Sequence, residues 1–591
     1  MKKNRATIQL LIWFRKKISG HQLILLLSIL AGIISGIAAF IIKNAVHFIK
    51  EFLTGTLAGL NQNYLLAILP SIGILATIVF IHLILRRRVG HGIPMTLFAI
   101  SKNKGRLQPH NMYSSIVSSA LTVGFGGSAG LEGPTVATGA AWGSNLGKFF
   151  GVSYRQMILL LACSSAGAMA SIFKAPVAGI VFVLEVIMID LTMSSIIPLL
   201  LASLSGALVS FLFLGMDVLV PAEIQSDFVI SEVPWFLLFG VFTGMVSVYF
   251  TRMFKKVGQL FDFVENRYSK WFIGSICLGM IIFFFPAIYG EGYEIINSAL
   301  RGEFSYLFEG QLLSRFDGNF YIALTLLAIL ILLKVVATSI TFGSGGVGGI
   351  FAPTLFMGAN SGLLFALTFN QFDLFSLPLD HFALAGMGGL IAGVLHAPLT
   401  GMFLIAEITG GYALIFPLMI TATISYAISK KMEKNSVYTY QLRKRGELFT
   451  HDKDQVVLSL MDVRSLIETD FSVIHENAML GDLIEVIINS KRDLFPVLDD
   501  DKNLKGVVNL NDVRNLMFDV DMYDRVSVRE LMHPPSVHVS MDEPMRQVAR
   551  TFQVTRFYTL PVLENGKYKG FVSRANVFSA YRKFLQMMTE E

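Results

Sequence analysis

Charge is scarce in this chain, and the scarcity is uneven. Asp, Glu, Lys and Arg make up 15% of the 591 residues and hydrophobic residues 53%, whereas soluble domains carry about 25% charged residues. With a mean hydropathy of +0.60, this is not an ordinary soluble protein. Cysteine is almost missing. Cys163 and Cys277 both lie in apolar stretches, which excludes a disulfide framework and a cysteine metal site and leaves them as packing residues. A strong charge of one sign is missing too. The net +6 is modest and traces to the flanks of apolar runs, such as Arg86–Arg88, so no nucleic-acid surface is expected.

What the chain has instead is length without charge. A helix needs roughly 20 apolar residues to cross a bilayer core. Stretches of that kind recur at Gln22–Ile42, Tyr64–Leu85, Asn111–Leu131, Leu191–Met216, Phe272–Gly290, His381–Ala406 and Ile408–Ser429, with a longer, glycine-broken one at Val335–Phe372. The pattern predicts a polytopic α-helical membrane protein. The first run is too long for a signal-peptide core and lacks a small-residue cleavage pattern. Lys2, Lys3, Arg5, Arg15, Lys16 and Lys17 precede it, so residues 1–21 are expected in the cytoplasm. The membrane domain is expected over residues 22–445. From 446 to 591 charge is dense and short strand-like and helix-like patterns alternate, as in a soluble α/β domain.

Both parts are internally repeated. In the membrane part "FKAPVAGIVFVLE" (Phe173–Glu185) resembles "LHAPLTGMFLIAE" (Leu395–Glu407), with Pro176 and Pro398 separated by 222 residues. Upstream, "GLEGPT" and "GIFAPT" place Pro134 and Pro353 219 residues apart. The halves are expected at about 22–220 and 233–430. Duplicated halves whose apolar segments are interrupted by Gly and Pro point to a transporter or channel with its site where broken helices meet. Pro134 and Pro353 suit helix starts, and the glycines before them leave N–H groups bare. Two helix N-termini facing one point make an anion site. One carboxylate stands there: Glu132 is the only Asp, Glu, Lys or Arg between Arg106 and Lys148. A charge at membrane depth costs about 2.5–3.5 kcal/mol on insertion scales, which argues that it is used. In the tail, "LFPVLDDDKNLKGVVNLNDV" (Leu494–Val513) matches "TLPVLENGKYKGFVSRANV" (Thr559–Val577), with prolines 65 and glycines 64 residues apart.

These residues resemble a known pattern. The membrane domain resembles the CLC family of chloride channels and chloride/proton exchangers, and the tail resembles a tandem pair of CBS modules, at about 458–519 and 526–586. "GHGIP" (Gly90–Pro94) stands for the family's GSGIP, "GLEGP" (Gly130–Pro134) for G-K/R-E-G-P and "GIFAP" (Gly349–Pro353) for GxFxP. The resemblance implies an inverted-repeat fold, a homodimer with one pore per subunit, chloride as ligand and no required cofactor. It makes Glu132 the gating glutamate, which competes with the anion for the outer site. It maps the central anion site to His91, the amides of Ile350 and Phe351, and Tyr438, with Tyr440 as the fallback. The protein is then not an enzyme. It sits in a cell (inner) membrane with both termini cytoplasmic.

Three positions depart from the family pattern. His91 replaces a serine; an imidazole also donates a hydrogen bond and gains charge when protonated, so either it makes conduction pH-dependent or its ring points away. Leu131 replaces a Lys or Arg beside the gate, and either packs against a neighbouring helix or leaves Glu132 easier to protonate. Val186 stands where exchangers often carry an inner proton-passing glutamate. Valine cannot carry a proton, which favours a passive chloride channel; the alternatives are a chloride/proton antiporter without that glutamate and a fluoride-selective relative. Glu185 and Glu407, at matching helix ends, read as structural carboxylates.

CBS pairs often bind adenine nucleotides through Gly-h-h-Ser/Thr-x-x-Asp, h being apolar. The first module reads "GVVNLND", keeping Asp512 but with Asn509 for the hydroxyl; the second reads "GFVSRAN", keeping Ser573 but with Asn576 for the Asp. Nucleotide regulation and a purely structural, dimer-stabilising role both remain open. Two other CBS-bearing classes fit poorly. An intramembrane zinc protease needs His-Glu-x-x-His, and "HENAM" at His475 lacks the second His and lies in the tail. Magnesium transporters need acidic pore residues that are absent here.

Overall fold

The computed structural model describes residues 19–56, 62–87, 89–90, 92–187, 193–216, 220, 228–308, 313, 315, 318–372, 376–444, 457–458 and 461–589. They fall into two compact units, residues 1–448 and 449–591. His91 lies outside the described residues, as does most of the 1–21 segment.

Helices dominate the first unit. They are α1 (Gly20–Thr56), α2 (Gln62–Val79, continued by a π-helical turn Phe80–Leu85), α3 (Ile93–Lys102), α4 (Asn111–Gly124), α5 (Glu132–Phe150), α6 (Tyr154–Phe173), α7 (Pro176–Val186) and α8 (Met193–Leu214). A second series follows: α9 (Val233–Asp262), α10 (Arg267–Phe284), α11 (Tyr293–Leu300), α12 (Phe320–Gly343), α13 (Phe351–Asn370), α14 (Leu379–Leu395), α15 (Pro398–Ile408), α16 (Ile415–Met432) and α17 (Val437–Lys444). Eight helices among the described residues are long and apolar enough to cross a membrane.

Apolar runs alone misplace some boundaries. Asn111–Leu131 is one uncharged stretch, yet its helix stops at Gly124 and residues 125–131 are irregular. Val335–Phe372 divides between α12 and α13, and His381–Ala406 between α14 and α15. The cause is the same in all three: Gly and Pro break helices that hydropathy reads as continuous.

The duplication is visible in the backbone. Gly126 and Gly345 take positive φ (91° and 106°) before α5 and α13, and Lys174 and His396 are left-handed (58° and 59°) before the Ala-Pro that opens α7 and α15. Small residues let these helices approach closely. A Cβ at Gly386 on α14 would fall 2.2 Å from the Gly358 carbonyl oxygen on α13.

The second unit holds two copies of one motif. β1 (Ile474–His475), β2 (Leu494–Leu498) and β3 (Leu504–Asn509) form one sheet in that order, and β4 (Val539–Ser540), β5 (Thr559–Glu564) and β6 (Lys567–Ser573) the other. In each, the first pair is parallel and the second antiparallel. A bridge extends each sheet at corresponding places: Val507 pairs with His533, and Phe571 with Glu468. Helices α18 (Leu480–Asn489) and α19 (Met545–Thr555) are amphipathic, burying Leu483 in one core with Val497 and Val548 in the other with Val562.

Candidate functional site

The two broken helices meet at their N-termini. Gly130 N–H donates to Gly349 O (2.8 Å) and Gly349 N–H to Gly130 O (2.7 Å), joining the "GLEGP" and "GIFAP" segments by a two-bond bridge. Only glycine fits here, because a Cβ on Gly349 would fall 2.8 Å from the Gly133 nitrogen. α5 then starts at Glu132 and α13 at Phe351, with Pro134 and Pro353 third in each. That position has no intrahelical acceptor for an N–H, so proline is tolerated. Both first turns are fully buried, and their bare N–H groups and dipole ends cannot be satisfied by bulk water.

Glu132 answers that need. Its side chain is buried, with 1% of its surface exposed. Oε1 accepts a 2.6 Å hydrogen bond from the Tyr293 hydroxyl at the start of α11. The carboxylate also faces the N–H groups of Ala352, on the opposite helix, and of Glu132 itself. Oε2 makes no hydrogen bond of full geometry among the described residues. The glutamate thus occupies the place that two helix N-termini prepare for an anion.

Beside it is a cavity of about 20 Å³, lined among others by Gly92, Gly133, Gly349, Ile350 and Tyr438. That is room for one water-sized body. The lining comes from the N-terminal ends of four helices: α3 through Gly92, Ile93 and Pro94, α5 through Gly133, α13 through Gly348–Ile350, and α17 through Val437 and Tyr438. Phe254, Phe342 and Gln441 complete the wall. The Tyr438 hydroxyl is buried there without a hydrogen-bond partner among the described residues. Buried hydroxyls are rarely left so, and a bound anion would supply the missing acceptor.

The sequence-derived candidates fare differently. Ile350 and Tyr438 line the cavity. Tyr440 does not; its hydroxyl accepts from Gln259 (3.2 Å) and its ring lies under the Lys255 ammonium (4.6 Å). The Phe351 ring packs against Phe173 and Phe182, 5.7 and 5.9 Å between centroids, away from the cavity. Leu131 and Val186 are both buried in the apolar core, so Leu131 packs against neighbours. Glu185 and Glu407 cap each other's repeats. Glu407 accepts from the N–H groups of Val177 (3.0 Å) and Ala178 (2.7 Å) at the start of α7, and Glu185 from those of Leu399 (2.9 Å) and Thr400 (2.7 Å) at the start of α15. Tyr293 carries no motif signal, and only the fold brings it to Glu132; Ala352 lies within "GIFAP", though nothing in the motif marked it as a partner of the glutamate.

In the tail, Asp512 and Ser573 are engaged in helix capping. The Asp512 carboxylate accepts from Asn509 N–H (3.0 Å), and Ser573 Oγ accepts from Asn576 N–H (3.1 Å). Ser573 also donates a short hydrogen bond to Glu468, whose carboxylate is paired with Arg492 at 2.8 Å.

The model of the voltage gated chloride channel family matches residues 72–430, and that of the CBS domain matches 463–519 and 528–583. The chain belongs to the CLC family. It is 29% identical over 439 residues to the "H(+)/Cl(-) exchange transporter ClcA" of Vibrio cholerae, covering 71% of this chain and 89% of that one. Among solved structures it resembles a slow cyanobacterial Cl⁻/H⁺ antiporter (TM-score 0.62, 23% identity, 73% of this chain and 99% of that one). A eukaryotic CLC transporter matches over 94% of this chain and 97% of its own (TM-score 0.59, 19% identity). The CLC chain described here is therefore an inverted-repeat membrane protein with an α/β CBS pair.

Proposed function

We propose that this CLC protein exchanges chloride for protons across a membrane, with Glu132 as the group that trades places with the anion. The observation that carries this is the Glu132 carboxylate seated between the N-termini of α5 and α13 and tied to Tyr293. As an anion it holds the site against chloride. Protonated, it loses its attraction for the helix dipoles and leaves, and chloride takes its place next to the cavity at Tyr438. Proton binding and chloride entry are thereby linked on one side chain. The likeness to a named H⁺/Cl⁻ exchanger across most of that protein's length supports this reading over the passive channel that Val186 suggests from sequence.

A passive channel is the second reading, favoured by Val186, which is apolar and buried where an inner proton donor would stand. Reconstitution in liposomes separates the two. Under opposed chloride and proton gradients, the voltage that stops flux in an exchanger depends on the pH gradient; in a channel it equals the chloride Nernst potential at every pH gradient. Glu132→Gln abolishes the pH-gradient dependence if the first reading holds.

For the rest of the protein we propose a non-enzymatic homodimer in a cell membrane, with a CBS tail that serves as a structural element. What supports the last point is Glu468: a phosphate approaching Ser573 would meet that carboxylate, already bonded to the hydroxyl. Calorimetry of the tail with ATP, ADP and AMP tests it, and saturable heat with any of them refutes it.

A further inference from the structure

The helix that carries Tyr438 is held from outside itself. α17 runs only from Val437 to Lys444, and helices this short are marginal unless tertiary contacts fix them. Its first turn is capped by Ser436 Oγ, which accepts from Thr439 N–H at 3.3 Å. Further anchors come from α9, where Arg252, Lys255 and Gln259 stand three and four residues apart and so share one helix face. Arg252 Nε donates to Glu433 Oε1 (2.9 Å) and Lys255 Nζ to Glu433 Oε2 (2.6 Å), in the turn between α16 and α17. Gln259 Nε2 donates to the Tyr440 hydroxyl (3.2 Å), and the Lys255 ammonium lies 4.6 Å from the centroid of the same ring. Tyr438 thus sits in the chain between two anchored residues, Glu433 and Tyr440, and Lys255 holds both. Phe254, next to Lys255, lines the cavity and meets Phe342, another lining residue, edge-on at 5.9 Å. One stretch of α9 therefore builds one wall of the cavity and ties down the helix that builds another.

We infer that Glu433 and Lys255 are positioning residues, whose pairing holds α17 so that the Tyr438 hydroxyl stays at the anion cavity. Exposed ion pairs contribute little, but this one is sheltered: the Lys255 and Glu433 side chains keep only 17% and 16% of their surface, and Arg252 shares the carboxylate. Neither residue lines the cavity, so their effect on the anion passes through α17 or through space. The sign of the effect separates these two routes. Removing the Glu433 carboxylate takes a negative charge away from an anion site and through space would tighten binding, whereas loss of positioning weakens it.

This rests on the reading of the Tyr438 cavity as a chloride site, and the test keeps the two apart. Chloride binding is measured by isothermal titration of the detergent-solubilised full-length protein as wild type, Glu433→Gln, Tyr438→Phe and the Glu433→Gln/Tyr438→Phe double variant. Glu433→Gln is expected to weaken chloride binding by up to about tenfold, the whole contribution of one hydroxyl hydrogen bond. In the Tyr438→Phe background the same change should alter affinity by about twofold at most, because the group it positions is gone. Unchanged or tighter binding in folded Glu433→Gln, beside weakened binding in Tyr438→Phe, overturns the inference and spares the site. An equal loss with and without the Tyr438 hydroxyl also overturns it, since the pair then acts on the protein at large. Unchanged binding in Tyr438→Phe overturns the site reading and the inference with it. If Glu433→Gln does not fold, the Glu433→Gln/Lys255→Met double variant, which leaves no unpaired ammonium at position 255, decides in its place, and wild-type affinity there refutes the inference.

Discussion

If the Glu132 carboxylate and chloride compete for one site, whatever holds the carboxylate in place weakens apparent chloride binding. The strongest hold visible is the Tyr293 hydroxyl at 2.6 Å from Oε1. Hydrogen bonds to charged groups contribute about 1.5–3 kcal/mol. Tyr293→Phe removes this one and nothing else of similar size, since the ring is retained. With 1.4 kcal/mol per tenfold, the seated carboxylate becomes about 10-fold to 150-fold less favoured, and the apparent Kd for chloride falls by up to that factor at a pH where Glu132 is ionised. Isothermal titration of the detergent-solubilised protein with chloride measures it. In Glu132→Gln no carboxylate competes, so adding Tyr293→Phe should change little, and the double-mutant cycle isolates the coupling. A Kd for Tyr293→Phe that is unchanged or weaker than wild type, in protein that remains folded, refutes the competition.

Three further outcomes follow from the same geometry. Tyr438→Phe should weaken chloride binding about tenfold while leaving thermal stability unchanged, because its hydroxyl has no protein partner to lose among the described residues; a drop in melting temperature without a change in affinity would contradict this. Glu407→Ala strips the acceptor from Val177 and Ala178 and should cost about 2–3 kcal/mol of stability, read by thermal unfolding in detergent, with turnover of the surviving protein intact. In the tail, the Asn503 side chain and amide and the Lys505 ammonium hold the Asp499 carboxyl down to about 2. A depressed carboxyl stabilises the fold above its unfolded value and loses that contribution as pH falls toward the folded one, so the melting temperature of the wild-type tail should drop more steeply than that of Asp499→Asn between pH 4 and 2.

Much of this was legible because glycine and proline report backbone requirements directly. Gly130, Gly349, Pro134 and Pro353 announced two buried helix starts, and the structure joins them by the Gly130–Gly349 bridge. The repeats were legible for the same reason, since the left-handed residues Lys174 and His396 precede matching Ala-Pro pairs. Glu185 and Glu407 were read as structural from spacing alone, but their exchange, each capping the other repeat, needed the fold. Hydropathy failed at Asn111–Leu131, because a buried irregular segment is as apolar as the helix it interrupts, whereas the glycines of Val335–Phe372 announced the break between α12 and α13. Tyr293 was invisible, since it lies about 160 residues from Glu132 in the chain and belongs to no repeated motif.

In the proposed exchange one carboxylate is gate and proton acceptor without a proton-carrying neighbour in its own motif. "GLEGP" supplies the helix end and the glutamate, and the repeat supplies the second helix end through Ala352. Both helix ends favour the ionised acid over the neutral one. The start of α11 adds Tyr293, which bonds to Glu132 directly. Lys334 steadies it by holding the backbone ahead of α11 and not a side chain, through Ile288 O and Gly290 O. Lys334→Met should therefore loosen the backbone that presents Tyr293 and shift apparent chloride affinity in the same direction as Tyr293→Phe. Calorimetry of chloride binding to the two variants checks this, and a folded Lys334→Met protein with wild-type affinity would show that the segment is held by something else.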